Sequence, residues 1–417
     1  MSLENFTISH ARDLDQSDQL RDFRSKFNFP IDDQGNEQLY FTGHSLGLMP
    51  KQTKDYLEET LSSWSNRAVE GHFKGEHPWM YSHDQVSKQM ASIVGAKEDE
   101  VVIMNTLTVN LHLALVSFYR PQKEKYKVLI ENTTFPSDEY AVASQLRFHG
   151  FDPDKGIIKP TPSKGMAPTM EEIIQTIEEN HQDLSLILLG HVNYLTGQKF
   201  DLKRIVEVAN KYEIKVGLNL AHGAGNIKLD LHDLGVDFAV WCTYKYLNSG
   251  PGGMAGLFIH EKNFNKDIPR LEGWWGNKEE TRFKMSPQFE PMIGVKSWQL
   301  SNPPALQMAS LRSSLDLFME AGMENLWNKS QKLTQYLKDL IQHFAPDDIQ
   351  IITPASHGAM LCLDVGDHGN RLLNILKEKS VIADFREPSI IRVAPVPMYN
   401  SYEDVFKLAS IIGQLGE

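Results

Sequence analysis

Six short apolar runs recur between residues 101 and 260, and their spacing limits the folds open to this chain. They cover residues 101–104, 127–131, 184–189, 215–220, 237–242 and 255–260, separated by longer amphipathic stretches. Several are almost continuously hydrophobic, as strands covered on both faces are. Strand-like runs alternating with helix-like ones predict an α/β architecture, a mostly parallel sheet with crossover helices. Upstream, residues 39–42 read as an extended segment entering the turn Gly43-His44-Ser45-Leu46-Gly47. Pro50 is expected to open a helix with Leu57, Leu61, Trp64 and Ala68 on one face.

From about residue 311 the pattern changes. A long helical stretch at 311–344 precedes strands near 349–353 and 359–365, a helix at 371–378, and extended segments at 381–385 and 390–393. In the last helix Ser401 and Asp404 are spaced as a capping box, with Val405, Leu408, Ile412 and Leu415 on one face. These elements predict a smaller α+β domain. The expected division is an N-terminal segment 1–45 packing with the small domain, a large domain 46–310, and a small domain 311–417 entered through one long connecting helix. There is no internal repeat and no low-complexity segment.

Composition narrows the partners. With 42 basic and 54 acidic residues the net charge is −12, which argues against nucleic acid or an anionic membrane as the main partner. No run reaches the length of a membrane span, and the polar, acidic residues 1–19 do not resemble a signal peptide. The two cysteines, Cys242 and Cys362, sit in apolar surroundings and are expected to be buried thiols in a reducing compartment. A soluble cytoplasmic protein is the expectation.

Lys245 is the residue with the clearest chemistry. It follows the run 237–242, is flanked by Tyr244 and Tyr246, and precedes a loop carrying Gly250, Gly252 and Gly253. Partial burial lowers a lysine's pKa and frees its amine to attack a carbonyl, as a Schiff-base lysine must; the alternative is a lysine snorkelling from a strand end. Asn105 to Asn110 follows the first run and opens a helix, so Thr106 and Thr108 either cap that helix or help cradle a phosphate. No Walker A sequence and no Gly-x-Gly-x-x-Gly is present. Phe135-Pro136-Ser137-Asp138 offers an aromatic face, a hydroxyl and a carboxylate on one loop, or a turn in which Ser137 caps the next helix. His222 ends another run; it, His232, Asp233 and Asp237 lack metal-ligand spacing, so no metal is expected. Arg392, alone in an apolar segment, calls for a carboxylate partner, either internal or bound. A phosphate cradle, an aromatic platform, a reactive lysine and a carboxylate-binding arginine at strand ends match pyridoxal phosphate and an amino-acid substrate.

Together these residues make the chain resemble the kynureninases, pyridoxal-phosphate enzymes of fold type I in the aspartate aminotransferase superfamily. The resemblance runs through residues 105–112, 135–138, 194–198, 220–222, 241–253, 273–276, 301–304 and 392–397. It implies a transferase-like α/β fold with a large mostly parallel-sheet domain and a small α+β domain. It also implies hydrolysis of L-kynurenine, or its 3-hydroxy form, to anthranilate or 3-hydroxyanthranilate and L-alanine, in tryptophan catabolism. Lys245 would hold pyridoxal 5'-phosphate covalently and then move the α-proton, with Tyr244 beside it. Leu107 and Thr108 would bind the phosphate, and Phe135 would stack on the ring. Ser137, Asp138, Asn219 and His222 would complete the shell. Trp274 and Asn302 would bind the cofactor from across the interface of a homodimer with shared active sites. Arg392 would clamp the substrate carboxylate, with His72 and Asn302 near its aromatic end.

Three positions depart from the family's pattern. Asn219, 26 residues before Lys245, stands where the family has the aspartate that keeps the pyridine nitrogen protonated. Losing that charge-assisted contact costs on the order of 2–4 kcal/mol in the carbanionic steps, roughly thirty- to a thousandfold in rate. His44 replaces an asparagine in the 43–47 turn, and Gly190 replaces a serine. Two alternatives to a working kynureninase follow: a related C–C lyase acting on another amino acid, or a cofactor-binding protein without catalysis. A desulfurase would need a thiol on a mobile loop, and neither cysteine is so placed.

Overall fold

The computed structural model describes residues 6–264 and 266–416. The first five residues of the expected N-terminal segment and the last residue of the expected small domain lie outside the described residues. All six apolar runs form strands of one sheet. They are β1 (Val101–Met104), β2 (Lys127–Leu129), β4 (Leu184–Gly190), β5 (Lys215–Asn219), β6 (Phe238–Cys242) and β7 (Ala255–Ile259). A seventh, β3 (Ile157–Ile158), completes the spatial order β1-β7-β6-β5-β4-β2-β3. β7 runs antiparallel to both its neighbours and every other pairing is parallel. Successive side chains point to opposite faces. Ile103, Leu189, Leu218 and Trp241 join the core on one face, and Val102, Leu188, Val240 and Leu257 the core on the other. Fully burying each aliphatic chain stabilises by about 1.5–3 kcal/mol, which is why both faces of these runs are apolar.

The second sheet holds β8 (Gln350–Ile351), β9 (Leu361–Asp364), β10 (Asp384–Arg386) and β11 (Ile390–Val393), in the antiparallel order β8-β9-β11-β10. The N-terminal segment joins it. Leu39–Tyr40 pairs in parallel with Val381–Ile382, and the Ala394 amide donates to the Phe41 carbonyl at 2.8 Å. Arg24 pairs with Asp404 at 2.6 Å. Phe41 and Ala11 share a core with Leu361 and Ile391.

Two helical expectations need correction. The helix α1 (Thr53–Arg67) starts at Thr53, because Pro50 belongs to a short strand, Met49–Pro50, paired with Phe27–Asn28. Its buried residues are Thr53 and Thr60, whereas Leu61 is 41% and Trp64 61% exposed. Thr53 bonds Ser313 on the helix Ala305–Ala321 at 2.8 Å, so a hydroxyl-bearing face packs inward and the apolar stripe faces out. The long connecting helix is two, Ala305–Ala321 and Met323–Phe344, broken at Gly322, whose φ of +74° is left-handed. The last helix, Tyr402–Gly413, carries the expected Ser401–Asp404 capping box.

Candidate active site

Parallel strands send their C-terminal ends to one edge of the sheet, and the loops leaving β2, β4, β5 and β6 gather there. They surround a cavity of about 160 Å³ that opens to solvent. Lys245, three residues beyond β6, lies in its wall. The 43–47 turn presses on the lysine's backbone: Gly47 donates to the Tyr244 carbonyl at 2.8 Å, and a Cβ at Gly47 would stand 2.3 Å from the Lys245 carbonyl oxygen. The amine sits 3.0 Å from His222 Nε2. Burial lowers the Lys245 pKa. His222 is pushed well below its usual value, by burial first and then by the Lys245 charge, which favours a neutral ring beside the amine. Among the described residues the buried His222 Nδ1 has no hydrogen-bond partner.

Across the cavity the helix α2 (Leu107–Phe118) begins with Leu107 and Thr108 in the wall. Its N-cap residue, Thr106, makes no side-chain capping bond, and the Thr108 hydroxyl meets the Ser137 hydroxyl at 3.1 Å. Two hydroxyls beside an uncapped helix N-terminus form an anion cradle. Ser137 does not cap the helix α3 (Pro136–Phe148); Phe135 occupies the N-cap position. The Phe135 ring lies 6.0 Å from Lys245 Nζ and edge-on to Tyr194 at 5.3 Å, 47% exposed within the cavity mouth.

The remaining wall is acidic. Asn219, last in β5, donates from Nδ2 to Asp138 at 2.6 Å and accepts the Ala221 amide at 2.9 Å. Burial raises Asp138 to about 6, against the lowering effects of the Asn219 bond and the Lys245 charge. Beside them lies Glu131, which residue patterns had placed only as the last member of an apolar run. Its carboxyl accepts from the Gly190 amide and from Asn193 Nδ2, and burial pushes it up to about 7. Its one signal in the sequence is a lone carboxylate ending a buried parallel strand.

Other predicted residues stand apart from this cavity. Arg392, 2% exposed, has an internal partner: Asp384 accepts from its Nε at 3.0 Å and its Nη2 at 2.8 Å, while its Nη1 donates to the Tyr194 carbonyl at 2.6 Å. Asp384 also pairs with Arg386 at 3.0 Å and lies 3.9 Å from the buried His44. His72 packs edge-on to Trp79, Trp274 donates to the Arg282 carbonyl at 3.0 Å, and Asn302 is exposed. His232 bonds the buried Glu100 at 3.0 Å rather than joining His222. Cys242 and Cys362 are both buried within strands. Among the described residues no helix is long and apolar enough to cross a membrane.

Known structures share this arrangement of elements. A cysteine desulfurase from Escherichia coli superposes with a TM-score of 0.77 at 16% identity, covering 95% of this chain and 98% of that one. A cystine C–S lyase with glycine covalently linked to its pyridoxal-phosphate cofactor gives 0.75 at 18% identity, covering 90% and 96%. At such identity the likeness is one of fold. Sequence relatives are much nearer. The kynureninase of Myxococcus xanthus is 48% identical over 409 residues, 97% of this chain and 96% of its own, and that of Koribacter versatilis is 46% identical with the same coverage. The family model for the kynureninase C-terminal domain matches residues 326–412. Identity at this level along nearly the whole length, on this fold and around this lysine, has one reading: the chain belongs to the kynureninase family.

Proposed function

We propose that this chain hydrolyses L-kynurenine, or 3-hydroxy-L-kynurenine, to anthranilate or its 3-hydroxy form and L-alanine, with pyridoxal 5'-phosphate as cofactor. The observation that carries the reading is one cavity that joins a desolvated lysine amine to an uncapped helix N-terminus and a phenyl platform. The residues present fit the cofactor. Leu107, Thr108 and Ser137 would take the phosphate, Phe135 would face the ring, and Asp138 and Asn219 would meet its nitrogen. His222, with an unpartnered Nδ1, and Tyr244 would complete the shell. When bound, pyridoxal phosphate supplies an aldehyde that condenses with amines and a ring that withdraws electrons from the amino acid's carbons.

Each side chain then has a task. Burial lowers the Lys245 pKa and so favours the uncharged amine, which can bond a carbonyl carbon and later carry the substrate's α-proton. His222 holds that amine in place without competing for its proton, since burial keeps the imidazole neutral. Arg392 would bind the substrate carboxylate in the manner it now binds Asp384, so the incoming carboxylate exchanges with or joins an internal one. His72 and Asn302 would lie near the aromatic end, and Trp274 and Asn302 would come from a second copy in a homodimer. The exposed apolar stripe of α1, Leu61 and Trp64, supports such an interface. The chain is read as cytoplasmic, with residues 1–45 serving the small domain 311–417 and residues 46–310 forming the large one; the Arg24–Asp404 pair supports the first assignment.

Fluorescence of anthranilate and 3-hydroxyanthranilate tests the reading, using protein reconstituted with pyridoxal phosphate and an Asn219→Asp variant. Turnover by the chain itself supports a kynureninase that works with a neutral residue at 219. Activity in the aspartate variant alone would mean that Asn219 disables an otherwise sound site. Silence from both would sink the proposal.

A further inference from the structure

The departures at 190 and 219 meet in space. Gly190 and Asn219 are register partners at the ends of β4 and β5, and β2, which leads into Glu131, borders β4 on its other side. A Cβ built on Gly190 would stand 2.6 Å from Glu131 Oε1. A side chain at 190 would press on the Glu131 carboxyl group, and the glycine leaves that group in contact with the strand's backbone. Glu131 is held there from two sides, by the Gly190 amide and by Asn193 Nδ2, and Asn193 is itself fixed by Thr133 Oγ1 at 2.9 Å. Among the described residues neither Glu131 nor Asp138 forms a salt bridge, yet both line the cavity where position 219 offers only an amide.

We infer that Glu131 is a working residue of this pocket: with Asp138 it holds the acidic proton that Asn219 cannot. The inference rests on the pyridoxal-phosphate reading. A ring nitrogen held beside Asn219 would take one proton from these two carboxyl groups. An O–H bond breaks, an N–H bond forms, and the negative charge stays on the pair; no other reactant is needed. Burial tunes the two acids for this hand-over, lifting Glu131 to about 7 and Asp138 to about 6. The groups facing them are Asn193 beyond β4, Asn219 at the end of β5, and Lys245 beyond β6, whose charge acts on Asp138 and whose amine His222 contacts. Glu131 thus acts on the cofactor's protonation and not on the substrate.

The test follows the proton. Pyridoxal phosphate labelled with nitrogen-15 in the ring is bound to the unmodified chain and to Glu131→Gln, and the ring-nitrogen shift is titrated with pH. The expected result is a nitrogen protonated through neutral pH in the unmodified chain. In Glu131→Gln, with the visible band of bound cofactor retained, its titration should fall by about 1–3 units, the size of a lost neighbouring charge. An unchanged titration overturns the inference. Should the variant fail to fold, carbon-13 carboxyl spectra of the unmodified, cofactor-free chain decide. A Glu131 resonance that titrates near neutrality and moves when cofactor is added supports the inference. One already ionised at about pH 5 and indifferent to cofactor overturns it. A chain that shows no bound-cofactor band at all overturns the pyridoxal-phosphate reading itself, a failure distinguishable from either.

Discussion

The floor of the cavity and its expected outer wall are built by different means. Lys245, His222, Asn219 and Glu131 lie at or just beyond the ends of neighbouring strands and Asp138 in the first turn of α3, and hydrogen bonds of 2.6 to 3.0 Å link Asn219 to Asp138 and Lys245 to His222. Their positions follow from sheet register and need nothing beyond this one chain. His72, Trp274 and Asn302 sit on short turns and loops, none of them in the cavity wall, amid exposed apolar side chains such as Val69, Phe73 and Ile293. A strand end is rigid because its neighbours fix it. A loop carrying exposed apolar groups is finished by whatever covers it. On the proposed function, the comparison predicts that the lysine and its strand-end neighbours serve from one chain while the outer wall comes from a second.

The largest effect should come from the floor. Lys245→Ala removes the amine and is expected to take anthranilate production to the assay's floor while thermal unfolding stays cooperative. Arg392→Lys keeps a charge but loses the two-pronged grip, so kcat/KM should fall roughly thirty- to a thousandfold, or about 2–4 kcal/mol, with most of the change in KM. On the other side, Trp64→Asp puts a charge on the exposed stripe of α1. It should weaken self-association by about 2 kcal/mol, some thirtyfold in Kd by sedimentation, and reduce turnover while the bound-cofactor spectrum persists. If that variant loses cofactor and turnover together, the division between floor and wall is wrong.

Asn219→Asp is a smaller probe. A carboxylate there would stand where the Asn219 amide now bonds Asp138 at 2.6 Å, so like charges would oppose part of the gain. The rate should change by less than about tenfold, well short of the full value of a charge-assisted bond. The last effect is on stability and leaves turnover aside. Burial raises Asp138 and Glu131 above the carboxylate range, so each contributes stability that is full below its unfolded value and lost as pH rises through its folded one. Cofactor-free protein should therefore lose on the order of 3 kcal/mol between about pH 4.5 and pH 7 from Glu131 alone, a decline that Glu131→Gln should flatten. Unfolding midpoints across that range measure it.

Much of this was legible in the residues, for reasons that also explain what was not. Strands buried on both faces must be apolar throughout, which makes β1, β4, β5 and β6 readable; two-residue β3, at the sheet edge, has too little length to show. Residues 311–344 read as one helix because periodicity survives a single glycine, and only the left-handed φ of Gly322 reveals the break. The stripe of Leu61 and Trp64 was correctly apolar, but periodicity does not say what covers a face, and Thr53 and Thr60 took the intramolecular packing. Arg392 announced a carboxylate partner without naming it, because Asp384 reaches it by strand pairing: the two are register partners on β10 and β11. Glu131 was hidden because the groups that hold it, the Gly190 amide and Asn193, lie 59 and 62 residues away.

The most direct test mixes two inactive variants. Lys245→Ala spoils the floor and Asn302→Ala the expected wall, so each homodimer alone should be nearly silent. If each active site takes its floor from one chain and its wall from the other, co-refolded mixtures should recover about one quarter of the unmodified activity, since half the dimers are mixed and each of those has one sound site. No recovery on mixing, with mixed dimers demonstrated, would contradict the account.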